Sequence, residues 1–205
     1  MPRHTKDSWQ PWHEEIKRFK ARETEGLEKD MAALEAHRII EAAAGSRKAA
    51  RDTLFLDLLL QTGIRISEAL RITPADLTWL DRQPVLWIRK GKGGKTRQVA
   101  VPARIAGELL DYQRRYRLDH GDRFFQISRQ RAWQITKAAA GAAGVPKRVY
   151  PHLFRHSYAI EFLRQTGHPA ALQKLLGHTT PAMTLRYLRL LQVEDALKIA
   201  DQVEI

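Results

Sequence analysis

Four segments of this sequence carry side chains suited to phosphate chemistry. In chain order they hold Arg65; Lys92 and Lys95; His152 and Arg155; and His178 followed by Tyr187. Arginine donates planar, bidentate hydrogen bonds to phosphate oxygens and stays charged at ordinary pH. Histidine and lysine can transfer protons, and tyrosine can act as a nucleophile. Each residue alone is commonplace on protein surfaces, so any functional interpretation depends on their joint order and spacing.

The elements that must position these residues are mostly helical. The predicted helices are Leu27 to Ile39 with a stop at Gly45, Arg51 to Gln61, Ser67 to Leu70, Ala103 to His120, Ser128 to Ala140, His152 to Thr166, Pro169 to Leu176, one opened by Thr180-Pro181 that carries Tyr187, and Val193 to Val203. Glycines mark several of the ends, and Ser128 and Thr180 are suitable N-caps.

Only two segments are good strand candidates. Val85 to Arg89 and Arg97 to Val101 are rich in β-branched residues, and a glycine-rich turn from Gly91 to Gly94 separates them. This pattern predicts a β-hairpin with a basic tip. The predicted fold class is therefore mainly α with a small antiparallel β-sheet (α+β). We expect a polar N-terminal arm over residues 1–26 and one domain with a C-terminal helix over residues 27–205.

The charge balance indicates a polyanionic partner. The 35 Lys and Arg residues against 23 Asp and Glu residues give a net charge of +12, for which double-stranded DNA is the expected partner. The sequence has no cysteine, no apolar leader in its first residues and no apolar run long enough to cross a bilayer. We therefore expect a cytoplasmic, nucleoid-associated protein with no membrane partner.

Two competing motifs fail on spacing. Gly94-Lys95-Thr96 spells the end of a phosphate-binding loop, but Arg89 stands where that motif requires its first glycine. His152 and His156 have zinc-ligand spacing, but Leu153 stands where the zinc-protease motif requires glutamate. We expect no metal and no cofactor, and we expect His156 to pack or hydrogen-bond locally.

The five motifs taken together resemble the signature of the tyrosine site-specific recombinases, the phage-integrase family. They are TGIRISEAL, GKGGK, HLFRH, LLGH and a tyrosine nine residues after that last histidine. The resemblance runs from about Arg51 to Leu190. It implies that Tyr187 is the nucleophile and that Arg65, Lys92, His152, Arg155 and His178 complete the catalytic set. Lys95 remains an alternative to Lys92.

The resemblance also implies the chemistry. Tyr187 would attack a DNA phosphodiester and leave a 3′-phosphotyrosyl bond and a free 5′-hydroxyl. Arg65 and Arg155 would clamp the non-bridging oxygens, with His178 donating a further hydrogen bond. His152 would accept the phenol proton or orient the phosphate, and Lys92 would protonate the leaving oxygen. The residues expected to contact DNA outside this set are Lys90, Lys95, Arg97, Arg186 and Arg189.

Two other interpretations stay open. A non-catalytic DNA-binding regulator would explain the basic charge, because Ala171 to Leu188 has a helix-turn-helix appearance in which Thr184, Arg186 and Arg189 would read bases. Such a regulator has no need for the arginines and lysine in this order. A type IB topoisomerase would share the chemistry but act alone, and the short chain favours the recombinase.

The expected assembly follows from the same resemblance. Too little sequence precedes Arg51 to supply a separate N-terminal DNA-binding domain, so the chain is either a naturally minimal enzyme, which we favour, or a fragment. In both cases we expect DNA binding that is weak and salt-sensitive. We expect a homotetramer on DNA, with help in DNA binding from residues Met1 to Lys29, from an accessory DNA-binding protein, or from cooperative assembly on paired sites. The helix from Val193 to Val203 either docks on a neighbouring protomer or packs on its own domain.

Overall fold

The structure is a computed structural model that describes residues 31–89 and 96–188, apart from the side chains of Leu185 and Arg186. All of these residues belong to one unit, Met31–Ile205. The predicted arm over residues 1–26, the predicted hairpin tip and the predicted helix from Val193 to Val203 lie outside the described residues.

Helices account for most of the described chain. They are α1 (Ala33–Ala43), α2 (Ala49–Thr62), α3 (Ile66–Ala69), α4 (Ala103–Tyr116), α5 (Arg129–Ala142), α6 (Pro151–Thr166), α7 (Pro169–Leu176) and α8 (Ala182–Leu188), with a short 3₁₀ helix at Pro74–Asp76. The three strands are β1 (Leu77–Leu80), β2 (Gln83–Ile88) and β3 (Arg97–Ala100). The predicted class, mainly α with a small antiparallel sheet, is confirmed.

The sheet has one more strand than the two that were predicted. β1 pairs antiparallel with β2, and β2 pairs antiparallel with β3, in the order β1-β2-β3. The turn between β1 and β2 places Asp81 and Arg82 at φ values of 46° and 67°. Left-handed turns usually use glycine or asparagine. Because Arg82 carries no such signal, the sequence pattern missed β1.

Helix α2 forms the centre of the fold because it is buried around its whole circumference from Leu54 to Leu60. Leu54, Phe55, Leu56, Leu58 and Leu59 are all buried, so the helix has no solvent-facing side along this stretch. It packs against α1, α4 and α6. The position of α2 matters for function because its C-terminal end leads directly into the segment that carries Arg65.

Glycine is required where α2 ends. Gly63 has a φ of +60° and continues from the last turn of the helix in the left-handed conformation. A Cβ atom at this position would lie 2.4 Å from Cδ1 of Tyr158 and 2.9 Å from Cδ2 of Leu176. The missing side chain therefore lets α6 and α7 approach the end of α2 closely.

Several helix boundaries differ from the prediction by one or more residues, including the end of α4 and the start of α8. α4 ends at Tyr116 rather than His120, because Arg117 takes the left-handed conformation at a φ of 53°. α8 begins at Ala182, one residue after the proline that was expected to open it. The predicted N-cap at Ser128 is confirmed, since its hydroxyl accepts a hydrogen bond of 3.0 Å from the backbone N–H of Arg131.

The C-terminal helices fold back onto α6. α7 contacts α6 and β3, and α8 contacts both α6 and α7. Their apolar residues form a second buried cluster that includes Leu163, Leu172, Leu176 and Tyr187. This arrangement brings the ends of α2 and α7, the start of α6 and the strand β3 to one place.

Candidate active site

Arg155 lies buried between two helix ends. Its side chain is 2% exposed, and it donates 2.7 Å to the carbonyl of Gly63 and 2.8 Å to the carbonyl of Leu176. Burial, and to a lesser extent the positive charge of Arg65, lowers the pKa of Arg155 to about 10. The guanidinium therefore remains a cation at neutral pH and is held in one orientation.

Arg65 stands at the N-terminus of α3 and approaches the same helix end. Its side chain donates 3.1 Å to Glu68 Oε1 and, more weakly, 3.5 Å to the carbonyl of Gly177. The backbone N–H of Arg65 donates 2.7 Å to Glu68 Oε2, which closes the first turn of α3. With 21% of its side chain exposed, Arg65 is more accessible than Arg155.

Glu68 is a buried carboxylate that was not among the predicted site residues. Burial alone would raise its pKa, but the hydrogen bonds and charges of Arg97 and Arg65 outweigh burial and lower that pKa. Glu68 is therefore ionised and shared between two arginines. It could not be assigned from sequence because Arg97 lies on a strand that is distant along the chain.

Arg97, which was predicted to contact DNA, faces inward in the structure. Its two terminal nitrogens each donate 2.9 Å to one oxygen of Glu68, and its Nε donates 2.9 Å to the carbonyl of Leu175. The side chain is 13% exposed. All three guanidinium nitrogens of Arg97 thus donate to acceptors inside the protein, and its role as a DNA contact stays a prediction.

Three arginines thus converge on the C-terminal end of α7. They reach three successive carbonyls, those of Leu175, Leu176 and Gly177. The last carbonyls of a helix have no partner within that helix and carry partial negative charge. The end of α7 therefore attracts and orients the arginines directly beside His178.

Four aromatic rings form a continuous row. His152 and His156 meet edge to face with ring centroids 4.8 Å apart, and His156 meets Tyr187 at 5.4 Å. The ring of His178 lies nearly parallel to Tyr187 at 6.3 Å, and Tyr187 is 3% exposed. His156 therefore separates the exposed His152 from the phenol, a contact that the prediction of local packing for His156 did not specify.

His178 is oriented by a residue from α8. Its Nδ1 lies 2.7 Å from the hydroxyl of Thr184, and both residues are buried. Thr184 is therefore unavailable to read DNA bases, although the regulator interpretation requires it to do so. The structure describes neither the side chain of Arg186 nor any part of Arg189.

The base of the hairpin is fixed by Asp76. Its carboxylate accepts hydrogen bonds from the backbone and hydroxyl of Thr73, at 3.0 and 2.9 Å, and from Arg89 Nε at 2.5 Å. Arg89 is the last described residue before the tip. The predicted general acid Lys92, its alternative Lys95 and the predicted DNA contact Lys90 all lie outside the described residues.

An open groove with basic and aromatic walls adjoins His152. Arg129, Trp133, Arg148 and Tyr150 line it, and all four are exposed. Such a combination suits a nucleic-acid backbone. Sequence reasoning missed these residues because single arginines in a basic chain carry no distinguishing signal.

Most of the predicted site residues within the described ranges come together. Arg65, Arg155 and His178 converge on the end of α7, and the positive charge of Arg65 helps to lower the pKa of Arg155. His152 joins them through His156. In residues 31–89 and 96–188, no group of three or more His, Cys, Asp or Glu side chains is arranged to hold a metal ion.

None of the helices in the described ranges has the length and apolar character needed to cross a membrane.

Comparison with known proteins identifies related chains. A family model described as the phage integrase family matches residues 29–194. The tyrosine recombinase XerA of Pyrococcus furiosus is 31% identical over 189 residues, which cover 87% of this chain and 64% of XerA. XerD of Mycobacterium tuberculosis is 34% identical over 178 residues, which cover 78% of this chain and 56% of XerD. The chain thus spans less than two thirds of these relatives.

Solved structures give the same result for the fold. The crystal structure of XerA recombinase aligns with a TM-score of 0.69 at 26% identity, covering 86% of this chain and 64% of that one. The catalytic domain of bacteriophage HP1 integrase aligns with a TM-score of 0.63 at 24% identity, covering 84% of this chain and 95% of that domain. The described architecture is that of a recombinase catalytic domain.

Proposed function

Because the chain belongs to the phage integrase family, we propose that it is a site-specific DNA recombinase that cleaves and rejoins strands through Tyr187. The observation that carries this proposal is the convergence of Arg65 and Arg155 on the end of α7, beside His178 and Tyr187. Two oriented guanidinium groups next to a phenol are suited to binding a phosphodiester and stabilising attack on it.

In the proposed reaction the phenol oxygen of Tyr187 forms a bond to phosphorus as the bond to the 5′ oxygen breaks. The products are a 3′-phosphotyrosyl bond and a 5′-hydroxyl. Arg65 and Arg155 neutralise the charge that builds on the non-bridging oxygens. The phenol proton passes to the histidine pair His152 and His156, and Lys92 protonates the leaving oxygen. Attack by another 5′-hydroxyl reverses the step and reseals the strand without ATP.

His178 has a distinct role in this proposal. His178 donates a hydrogen bond to the phosphate from Nε2, and its contact with the Thr184 hydroxyl at Nδ1 sets the ring orientation. A bond at one ring nitrogen fixes which tautomer the imidazole adopts. The 2.7 Å distance between Nδ1 and the hydroxyl supports an imidazole that is oriented before substrate arrives.

Double-stranded DNA is the proposed partner. The groove beside His152 would receive the sugar-phosphate backbone next to the scissile bond, with Arg129 and Arg148 binding phosphates. Lys90, Lys95, Arg186 and Arg189 remain proposed DNA contacts. Among the structural neighbours, XerH is bound to its difH substrate and the Tn1549 transposon integrase is bound to circular intermediate DNA.

The proposed assembly is a homotetramer on paired DNA sites, supported by an accessory DNA-binding protein, in the cytoplasm at the nucleoid. The net charge of +12 supports association with DNA, and binding should weaken steeply as salt rises.

The experiment is covalent trapping. Purified protein is incubated with fragmented DNA from its own source, quenched with SDS, and examined for protein that stays attached to DNA, with Tyr187→Phe in parallel. The proposal expects an adduct in the wild type that the variant lacks. Binding of DNA by both proteins without an adduct would contradict the enzymatic proposal and favour a binding-only relative.

A further inference from the structure

Among the described residues near the site, Arg97 has the most extensively bonded arginine side chain. It donates through both terminal nitrogens to Glu68 and through Nε to the carbonyl of Leu175, all at 2.9 Å. This side chain joins three elements, because Arg97 lies on β3, Glu68 on α3 and Leu175 on α7. Its position indicates a role inside the protein.

Glu68 transmits the position of Arg97 to Arg65. Oε1 accepts 2.9 Å from Arg97 and 3.1 Å from Arg65, and Oε2 accepts 2.9 Å from Arg97 and 2.7 Å from the backbone of Arg65. A bidentate arginine fixes both the plane and the rotation of a carboxylate. Since both oxygens are shared, the orientation of Arg65 depends on the presence of Arg97.

Arg97 also lies against the residue before His178. A Cβ atom built on Gly177 would fall 3.1 Å from Cδ and 3.2 Å from Nε of Arg97. Gly177 has a φ of +63° and ends α7, so the chain turns here into His178. The aliphatic part of Arg97 therefore supports the turn, while its Nε donates to the carbonyl of Leu175, two residues before Gly177.

We propose that Arg97 is a positioning residue that fixes Arg65 through Glu68 and fixes the turn before His178 through Leu175 and Gly177. β3 thereby holds the proposed phosphate-binding side chains, Arg65 and His178, in fixed positions relative to each other. This inference rests on the proposed strand cleavage, but it concerns a residue that does not itself touch DNA.

The first test compares Arg97→Met with a matched control, Arg104→Met. Arg104 pairs with the buried Asp57 at 2.8 Å and with Glu108 at 2.7 Å, outside the site, so its loss also leaves a buried carboxylate unpaired. The probe is a duplex carrying the sequence recovered from the wild-type covalent adduct. Arg97→Met should lower the single-turnover cleavage rate about 10- to 100-fold, as a displaced positioning group does. The Kd for DNA should stay within about threefold of wild type.

A second substrate separates positioning from general damage. Replacing the scissile phosphate with a methylphosphonate removes the non-bridging charge that Arg65 would bind. The defect of Arg97→Met should shrink on this substrate, and Arg97→Lys should recover part of the cleavage rate on ordinary DNA. The Glu68→Gln and Arg97→Met double variant should be little slower than the slower single variant, because both substitutions break the same chain of contacts.

A DNA-independent measurement keeps the inference testable if cleavage fails. In NMR spectra the Nε–H resonance of Arg65 should shift in Arg97→Met but not in Arg104→Met. If wild type forms no Tyr187-dependent adduct, the proposed function fails. The NMR spectrum still shows whether the position of Arg65 depends on Arg97.

Three results would overturn the inference: an unchanged Arg65 resonance, an equal loss of cleavage in Arg104→Met, or weaker DNA binding with a shallower salt dependence in Arg97→Met. The last would assign Arg97 to DNA contact instead.

Discussion

Nη2 of Arg155 donates 2.8 Å to the backbone carbonyl of Leu176, two residues before His178. This bond attaches the arginine of the HLFRH motif to the end of α7, while Nη1 attaches it to Gly63 at the end of α2. A buried cation with two fixed acceptors is oriented before any substrate binds. Catalytic groups of this kind contribute because they need no reorganisation during the reaction.

Replacing Arg155 with lysine tests this orientation. Lysine keeps the charge but cannot donate to the Gly63 and Leu176 carbonyls in the same planar geometry. Cleavage should fall about 100- to 1,000-fold, as when one oriented donor to a developing charge is lost. Trapped adduct is measured in single-turnover reactions, with Arg115→Lys on exposed surface as the control. Equal cleavage by Arg155→Lys and wild type would contradict a phosphate clamp.

Gly63→Ala should destabilise the fold at the site. The substitution forces a Cβ atom to 2.4 Å from Tyr158 at a backbone φ of +60°. The free energy of unfolding should fall by more than about 1 kcal/mol. Gly107→Ala within α4 is the matched control, because a Cβ atom there meets nothing within 4 Å and should stabilise the helix by about 0.5–1 kcal/mol. Urea denaturation measures both, and a neutral Gly63→Ala would show that the close approach of α6 is not required.

The ionisation of Glu68 predicts a pH-dependent stability difference between wild type and Glu68→Gln. Arg97 and Arg65 outweigh burial and lower the pKa of Glu68 below its usual 4.5. Its stabilising contribution is therefore complete above the unfolded-state pKa and is lost as pH falls through the native value. The gap in unfolding free energy between wild type and Glu68→Gln should narrow from about pH 7 to about pH 3. A gap that stays constant over this range would mean that Glu68 is not held as a carboxylate.

Thr184→Val separates two roles for α8. Valine fills the same buried space but cannot bond to Nδ1 of His178, which now lies 2.7 Å from the threonine hydroxyl. Cleavage should fall about three- to tenfold, the value of one hydrogen bond. The sequences recovered from trapped DNA should be unchanged, and sequencing of the trapped pool measures this. A changed sequence preference with an unchanged rate would instead favour a base-reading helix.

The sequence predicted features whose signals are local. Gly63, Gly167 and Gly177 ended their helices as expected, because each takes a positive φ that other residues rarely adopt. The order of the motifs along the chain was enough to group Arg65, Arg155 and His178 in one predicted site. These successes depend on backbone conformation and on spacing along single elements.

Relationships across the fold could not be predicted in the same way. The pairing of Glu68 with Arg97 joins residues 29 positions apart through two elements, and no local pattern marks it. The contact of His156 with Tyr187 depends on how α8 folds back on α6. β1 was missed because neither residue of its turn is glycine or asparagine.

The nature of the covalent bond tests the central claim most directly. Trapped complexes would be digested with nuclease and protease, and the nucleotide-bearing peptide would be identified by mass spectrometry. In parallel, the released DNA ends would be labelled with polynucleotide kinase without prior phosphatase treatment. The account predicts a nucleotide on Tyr187 and 5′ ends that accept label directly. A nucleotide on another residue, or 5′ ends blocked by the protein, would contradict it.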